Sequence, residues 1–233
     1  DGQPTARYVR LRVTKAVGDF GSGRELYVFK VPGTESLLPG DINNDKLVDI
    51  NDLTSYVNYT GLRQGDADFE GYISNGDLNR NGLIDAYDIS AVATRLEGGV
   101  APRRNDTLGG TLSLSTAKTR YAQGDTVDVV VSGRGLRNVN ALSFALPYDA
   151  ADYEFVAILP VGMKEMRNLT NDRLHTNGQK ALYPTFVNMG EKRTLNGDGE
   201  LFVIRLRARR PLTFDLNAVD GILVNRGMDS VRF

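Results

Sequence analysis

The sequence lacks cysteine and tryptophan and has a single histidine among its 233 residues. Without cysteine the chain can form neither disulfides nor thiolate metal sites, and cysteine nucleophiles are excluded. One histidine is too few for a multi-histidine metal site and removes most catalytic dyads. No apolar run approaches the ~18 residues of a membrane-spanning helix. We therefore expect no disulfide framework, no thiolate chemistry and no membrane span.

Charge is nearly balanced over the whole chain, with 28 Lys and Arg against 29 Asp and Glu. This balance disfavours a nucleic-acid-binding role. It hides an acidic segment, because residues 35–99 carry 12 acids and 4 bases, a net charge of −8. Residues 1–34 and 100–233 have net charges of +3 and +4. The middle of the chain is therefore predicted to be a separate module.

Two alternating segments near the start, Tyr8 to Val13 and Leu26 to Val31, predict a short β-hairpin. Their sequences, ARYVRLRV and ELYVFKV, resemble the last strands of discoidin-like domains (coagulation factor 5/8 type C). The resemblance implies that residues 1–34 are the end of such a domain. No sugar-binding residue is assigned to it.

An internal repeat dominates the acidic segment. GDINNDKLVDINDL at residues 40–53 recurs as GDLNRNGLIDAYDI at residues 76–89, an offset of 36. Each copy has oxygen side chains at loop positions 1, 3, 5, 9 and 12 and a leucine at position 7, the ligand spacing of an EF-hand calcium loop. The candidate ligands are Asp41, Asn43, Asp45, Leu47 (carbonyl), Asp49 and Asp52 in the first copy, and Asp77, Asn79, Asn81, Leu83 (carbonyl), Asp85 and Asp88 in the second.

Calcium chemistry explains this spacing, because Ca²⁺ takes about 6–8 oxygen ligands and alternate residues of a tight loop point inward. Two ions are predicted. We expect the leucine at position 7 to turn its side chain toward a core. Lys46 stands at position 6, where glycine is usual, so the first loop should be strained there.

A short helix is predicted after each loop. Ile50, Leu53 and Val57 share one face of the first helix; Ile89, Val92, Ala93 and Leu96 share one face of the second. No helical pattern precedes either loop, and position 12 is Asp rather than Glu.

A duplicated loop with one exiting helix resembles a dockerin, the calcium-dependent docking module of bacterial polysaccharide-degrading systems. The resemblance covers about residues 38–98, within a calcium-binding module predicted at residues 35–100. It implies docking residues at loop positions 10 and 11, which are Ile50 and Asn51 in one copy and Ala86 and Tyr87 in the other. These pairs differ from each other, which argues against symmetric, two-way docking.

A weaker third match lies between the two loops. It comprises Asp66, Asp68, Glu70, Tyr72 (carbonyl), Ser74 and Asp77. A third calcium ion sharing Asp77 and a solvated acidic connection both remain open.

The C-terminal part is predicted to be an all-β sandwich or jelly roll, because short alternating strands are separated by Gly, Asn and Asp turns. A linker rich in Pro, Gly and Arg precedes it. The order of GDTVDVVV, ALSFALPYD and GDGELFVIRLRA resembles a cohesin-like fold over residues 110–233. The predicted strands are Val127 to Val131, Ala141 to Tyr148, Phe155 to Leu159, Leu201 to Ala208 and Gly221 to Val224.

No active site is predicted. Asp198 and Glu200 are paired acids, but a turn before a strand explains them better than glycosidase chemistry does. His175 is expected to be an exposed turn residue, since no partner acid can be inferred from spacing.

Together the resemblances imply a multidomain, non-catalytic region of a secreted bacterial protein, at the cell surface or in the periplasm. The parent protein would be a glycoside hydrolase or another glycan-acting protein. The expected partner is a protein, bound by cohesin–dockerin contact either within one chain or between chains. The alternative is a carbohydrate-binding sandwich, with Tyr148, Tyr153 and Tyr183 as candidate aromatic contacts. A helix-opening calcium sensor is excluded because the entering helices are missing.

Overall fold

The computed structural model describes residues 38–96, 107–189 and 193–233, so the predicted N-terminal hairpin and its discoidin-like resemblance lie outside the described residues. Both predicted helices are confirmed. Helix α1 spans Ile50–Tyr59 and helix α2 spans Ala86–Leu96, and a short 3-10 helix spans Ser74–Gly76. Residues 38–96 are called the loop–helix module below.

The described residues from 107 onward form strands, and this part is called the sandwich. Its five predicted strands are confirmed, and several that the sequence did not reveal are added. The strands are β1 (Gly109–Thr116), β2 (Arg120–Tyr121), β3 (Thr126–Val139), β4 (Ala141–Pro147), β5 (Tyr153–Pro160), β6 (Arg167–Asn168), β7 (Asn171–Leu174), β8 (Lys180–Tyr183), β9 (Thr185–Val187), β10 (Leu195–Ala208), β11 (Leu212–Thr213), β12 (Val219–Val224) and β13 (Ser230–Arg232).

Two antiparallel sheets build the sandwich. The first has the order β1-β3-β10-β5. The second has the order β13-β12-β4-β8-β7, with β9 paired to β4 and to β6. A separate two-stranded ribbon pairs β11 with β2.

The core between the sheets follows from the alternation of the strands. On β3, Val127, Val129 and Val131 are fully buried, while the residues between them are at most half-buried. Phe202 of β10 meets Phe186 of β9 with ring centroids 4.7 Å apart. Aromatic pairs at such distances contribute beyond the area they bury.

Strand β4 is buried on both faces, whereas antiparallel sheets commonly have one face in water. Leu142, Phe144 and Leu146 lie in the sandwich core. Ala141 and Ala145 alternate with them and belong to other apolar clusters, which include residues of the loop–helix module. The second sheet is therefore covered by the loop–helix module on its outer face.

The loop–helix module has its own apolar centre, and one predicted contact in it is wrong. Ile50 was expected on the packed face of α1, yet it is 55% exposed, while Leu53 and Tyr56 are buried. The buried face of α1 contains Asp52 together with Leu53 and Tyr56, so Ile50 lies beyond its edge. The Tyr56 hydroxyl donates a hydrogen bond to the Gly76 carbonyl at 2.9 Å and joins α1 to the start of the second loop.

Candidate functional site

The first loop is closed by its own carboxylates. Asp41 accepts hydrogen bonds from the backbone N–H groups of Asp45 and Lys46 at 3.1 and 3.0 Å. Asp52 accepts from the N–H groups of Ile42 and Asp49 at 2.9 and 2.8 Å. Loop positions 1 and 12 thus bind the loop backbone. Asp49 also caps α1, and together with Asp52 it forms a capping box.

The second loop repeats this pattern. Asp77 accepts from the N–H groups of Asn81 and Gly82 at 3.0 and 2.7 Å. Asp88 accepts from the N–H groups of Leu78 and Asp85 at 2.8 and 2.9 Å. The sequence repeat is therefore also a repeat of loop structure.

Positions 3 and 5 add further oxygens in both copies. Their side-chain oxygens accept hydrogen bonds from N–H groups two residues further along the chain, a turn-forming contact of short Asp and Asn side chains. The four residues are Asn43, Asp45, Asn79 and Asn81. Within the described residues, no three Asp, Glu, His or Cys side chains form a ready-made metal cluster, so the fit to calcium rests on loop geometry and donor chemistry.

Electrostatics in the second loop favour a cation. Asp85 and Asp88 are buried, and burial raises the pKa of both carboxyl groups. The charge of Asp85 raises the pKa of Asp88 further. Two buried, mutually repelling carboxylates are costly unless a positive charge lies beside them. A bound Ca²⁺ would offset this penalty, so the donor set fits the ion.

Position 6 has the same backbone conformation in the two loops. Lys46 has φ +75° and Gly82 has φ +81°. A lysine in this left-handed region is strained, because its Cβ crowds the backbone. The expected strain at Lys46 thus has a structural basis.

The leucines at position 7 lie in different environments. Leu83 is half-buried and packs against Ala145, Ala181 and Tyr183 of the sandwich. Leu47 is 60% exposed, so the expectation that its side chain faces a core is wrong. The difference arises because the sandwich covers only the second of the two related faces.

Of the two predicted docking pairs, the pair in the second loop is covered and the pair in the first loop is exposed. Ala86 is fully buried, and its N–H donates to the Ser143 hydroxyl of β4 at 3.1 Å. Tyr87 is half-buried. Ile50 and Asn51 are exposed. The structure therefore brings only the second pair to the sandwich.

Apolar contacts between α2 and the sandwich form one continuous cluster. Ile89 and Val92 of α2 belong to the same buried cluster as Ala141 of β4, Val187 of β9 and Ile222 of β12. Small side chains on β4 let the helix approach closely, and the resulting contact excludes water. This cluster joins the two parts of the chain.

A polar contact surrounds Asp66, the first residue of the third candidate loop. Its carboxylate accepts from the Thr176 N–H at 3.1 Å and from the Arg63 N–H at 3.0 Å. Its Oδ2 lies 2.7 Å from His175 Nδ1. Both carboxylate oxygens are thus engaged, while Asp68 and Glu70 are exposed. The third calcium site stays a prediction.

His175 was expected to be exposed, and this expectation is wrong, since it is 3% exposed. With Asp66 ionised, Nδ1 carries the proton and donates to Asp66, so Nε2 accepts from the Tyr183 hydroxyl at 2.7 Å. Burial lowers the pKa of His175, and the charges of Arg63 and Arg173 act in the same direction, against the effect of Asp66. Sequence spacing could not reveal the pair, because the partners are 109 residues apart.

The aromatic residues proposed for sugar stacking are not available as platforms. Tyr148, Tyr153 and Tyr183 are 8%, 3% and 4% exposed. The turn expected at Asp198 before the strand is wrong, since Asp198 lies within β10, where it accepts from the Gly135 N–H of β3 at 2.6 Å beside an irregularity in the strand pairing. No observation on the described residues favours the carbohydrate-binding alternative.

The sequence of the loop–helix module matches a known domain family. Residues 39–97 match the family model described as Dockerin type I domain, a domain that binds calcium. No curated protein is significantly similar to the chain. Among the described residues, no helix has the length and apolar character needed to cross a membrane.

Several solved cohesin structures are similar to the chain. A cohesin module of a family 33 glycoside hydrolase from Clostridium perfringens ATCC13124 is 11% identical, covers 54% of this chain and 90% of its own, and has a TM-score of 0.43. A non-cellulosomal cohesin from the hyperthermophilic archaeon Archaeoglobus fulgidus is 18% identical, with coverage of 52% and 82% and a TM-score of 0.39. A type I cohesin–dockerin complex from Clostridium thermocellum is 12% identical, with coverage of 55% and 91% and a TM-score of 0.41. With TM-scores below 0.5, these structures transfer no residue role. The chain thus carries a dockerin type I domain at residues 39–97, followed by an antiparallel β-sandwich similar to cohesin modules.

Proposed function

We propose that this chain is a calcium-dependent protein-docking region in which the loop–helix module docks on the sandwich of the same chain. The observation that carries the proposal is the single apolar cluster shared by α2 and strands β4, β9 and β12. A cluster of this kind is what a docking interface needs at its centre. The rim supplies hydrogen bonds around Asp66.

Charge complementarity supports the same pairing. The acidic segment has a net charge of −8, and residues 100–233 have a net charge of +4. Opposite charges on two surfaces speed their encounter and fix its orientation more than they raise affinity. Docking is therefore expected to be faster at low salt than at high salt.

Calcium is proposed to bind in both loops. The ligands are the side-chain oxygens at positions 1, 3, 5, 9 and 12 with the carbonyl at position 7, which are Asp41, Asn43, Asp45, Leu47, Asp49 and Asp52 in the first loop and Asp77, Asn79, Asn81, Leu83, Asp85 and Asp88 in the second. When bound, the ion supplies positive charge to the carboxylates that otherwise repel one another. The residues themselves hold the start of each exit helix against its loop. Calorimetric titration of the chelator-treated chain is expected to show two ions, and one ion or none would contradict the assignment.

The experiment for docking uses the full chain with a protease site inserted into residues 99–104. After cleavage, the halves should stay together in calcium, and sedimentation of a dilution series gives their dissociation constant. In chelator they should separate, because the loops no longer hold α2 in place. Halves that separate in calcium would refute the proposal.

The wider context is proposed from sequence resemblance alone. It comprises export by a bacterium and a glycan-acting parent protein. Loops of this kind in extracellular modules bind calcium with dissociation constants of about 10⁻⁴–10⁻³ M, which suits a calcium-rich exterior.

A further inference from the structure

The carboxyl end of α1 has polar groups that the helix itself cannot satisfy. The last carbonyl groups of any α-helix have no partner within the helix, and they carry partial negative charge. A basic side chain in the last turn often compensates, but α1 has none. The caps of this helix must therefore come from elsewhere in the chain or from water.

The caps come from strand β7 of the sandwich. Asn171 Nδ2 donates to the Val57 carbonyl at 2.9 Å. Arg173 Nε donates to the Thr60 carbonyl at 3.0 Å, and Arg173 Nη2 donates to the Asn58 carbonyl. Three carbonyl groups at one helix end are thus satisfied by two side chains more than 110 residues away.

Arg173 is suited to this role for two reasons. Its guanidinium presents several N–H donors in one plane, so it can contact two carbonyl groups at once. Its charge also lies at the negative end of the helix dipole. Because the contacts are to backbone atoms, they depend on where the helix ends and not on which side chains it carries.

The turn after β7 contacts the segment that follows the helix. The Thr176 N–H donates to the Asp66 carboxylate at 3.1 Å, and the Thr176 hydroxyl accepts from the Ala67 N–H at 2.8 Å. Gln179 accepts from Arg63 at 2.7 Å. The hairpin formed by β7 and β8 thus contacts both the helix end and the acidic turn beyond it.

We propose that this hairpin, residues 171–183, is the specificity element of docking, and that it recognises the carboxyl end of a helix followed by an acidic turn. Within this chain, residues 57–67 supply that partner surface. A protein partner for the free hairpin would have to present the same combination. The inference rests on the proposed docking function and names the residues that select the partner.

The test uses the cleaved full chain in calcium with Arg173→Met and Asn171→Asp. Methionine keeps the long stem of Arg173 but has no donor, and the aspartate of the second variant would face the Val57 carbonyl with an acceptor. Arg167→Met and Asn168→Asp are the matched controls. Arg167 makes a long hydrogen bond of 3.5 Å to the Thr54 hydroxyl, so its loss should matter little. Asn168 Oδ1 accepts from the Thr170 N–H, and an aspartate oxygen can accept the same bond.

Each test variant should weaken docking about 10- to 100-fold, because Arg173→Met removes hydrogen bonds from a charged group and Asn171→Asp leaves a partly buried carbonyl without its donor. The controls should change it less than about threefold, as surface substitutions do. Arg173→Lys should recover part of the affinity, because one donor and the charge are kept. Hydrogen exchange gives a second readout: the Thr60 N–H, which bonds the Tyr56 carbonyl, should exchange faster in Arg173→Met, while α2 amides are unchanged.

The outcomes separate the inference from the function on which it rests. If the wild-type halves fail to associate, the docking function itself is refuted. If the wild-type halves associate and the test variants bind as tightly as the controls, docking stands and the hairpin is not its specificity element. Weak binding of all four variants alike would also overturn the inference, since it would mark a general disturbance of this edge of the sheet.

Discussion

Replacing Gly61 by alanine is expected to weaken docking through a steric contact that exists only in the docked state. Gly61 follows α1 with φ +82°, a conformation that favours glycine. A Cβ there would lie 2.2 Å from the Tyr183 ring of β8. The ring is buried beneath the loop–helix module, and its hydroxyl is hydrogen-bonded to His175, so the ring cannot rotate away.

Two separate costs determine how much Gly61→Ala destabilises the chain and how much of that loss appears in docking. A non-glycine residue in the left-handed region costs about 1–2 kcal/mol, docked or undocked. Overpacking against a buried ring costs about 1–3 kcal/mol, and only when Tyr183 is in place. Gly65→Ala is the matched control, because Gly65 has φ +99° and no atom within 4 Å of an added Cβ.

The assay is the dissociation constant of the cleaved chain in calcium, with thermal unfolding of the uncleaved chain beside it. Gly61→Ala should weaken docking about 5- to 150-fold, and Gly65→Ala should leave it nearly unchanged. Both variants should lose some thermal stability from the backbone strain. Equal affinities for the two variants would mean that the Tyr183 ring contact contributes nothing to docking, contrary to this prediction.

Three further predictions concern the loops and the interface. Burial lowers the pKa of His175 in the docked state, so His175 binds a proton more readily when the two parts are apart. Docking should therefore weaken as the pH falls below about 6.5. A dissociation constant that stays constant from pH 8 to 5 would contradict this. Lys46→Gly should stabilise the first loop by about 1 kcal/mol, measured by unfolding in calcium, and an unchanged or lower stability would oppose the strain argument. Ser143→Ala removes the acceptor of the Ala86 N–H and should weaken docking by about 1–3 kcal/mol; unaltered sedimentation would count against that contact.

Most of the fold could be predicted from local sequence patterns. The repeat spacing predicted two loops, and the apolar periodicity after each loop placed α1 and α2 correctly. Alternation placed β3, β4, β5, β10 and β12. In each case the information lies within about ten residues, which is the range over which periodicity is visible.

What the sequence could not reveal depends on long-range contacts. Strand β7 carries the polar sequence NDRL, in which Asn171 and Arg173 cap a helix in the other part of the chain. For the same reason His175 looked like an ordinary turn residue. The one local signal that could have revealed the contact is the almost wholly apolar sequence ALSFALP of β4, which has small residues on one face; in the structure that face is buried as well.

Calcium-dependent docking between the two parts of this chain is tested most directly by calorimetry. Residues 35–100 and 110–233 would be expressed separately, and one titrated into the other in calcium and again in chelator. Docking within the chain predicts heat of binding in calcium, with one loop–helix module per sandwich, and none in chelator. No heat in calcium, with both pieces folded, would contradict docking within this chain.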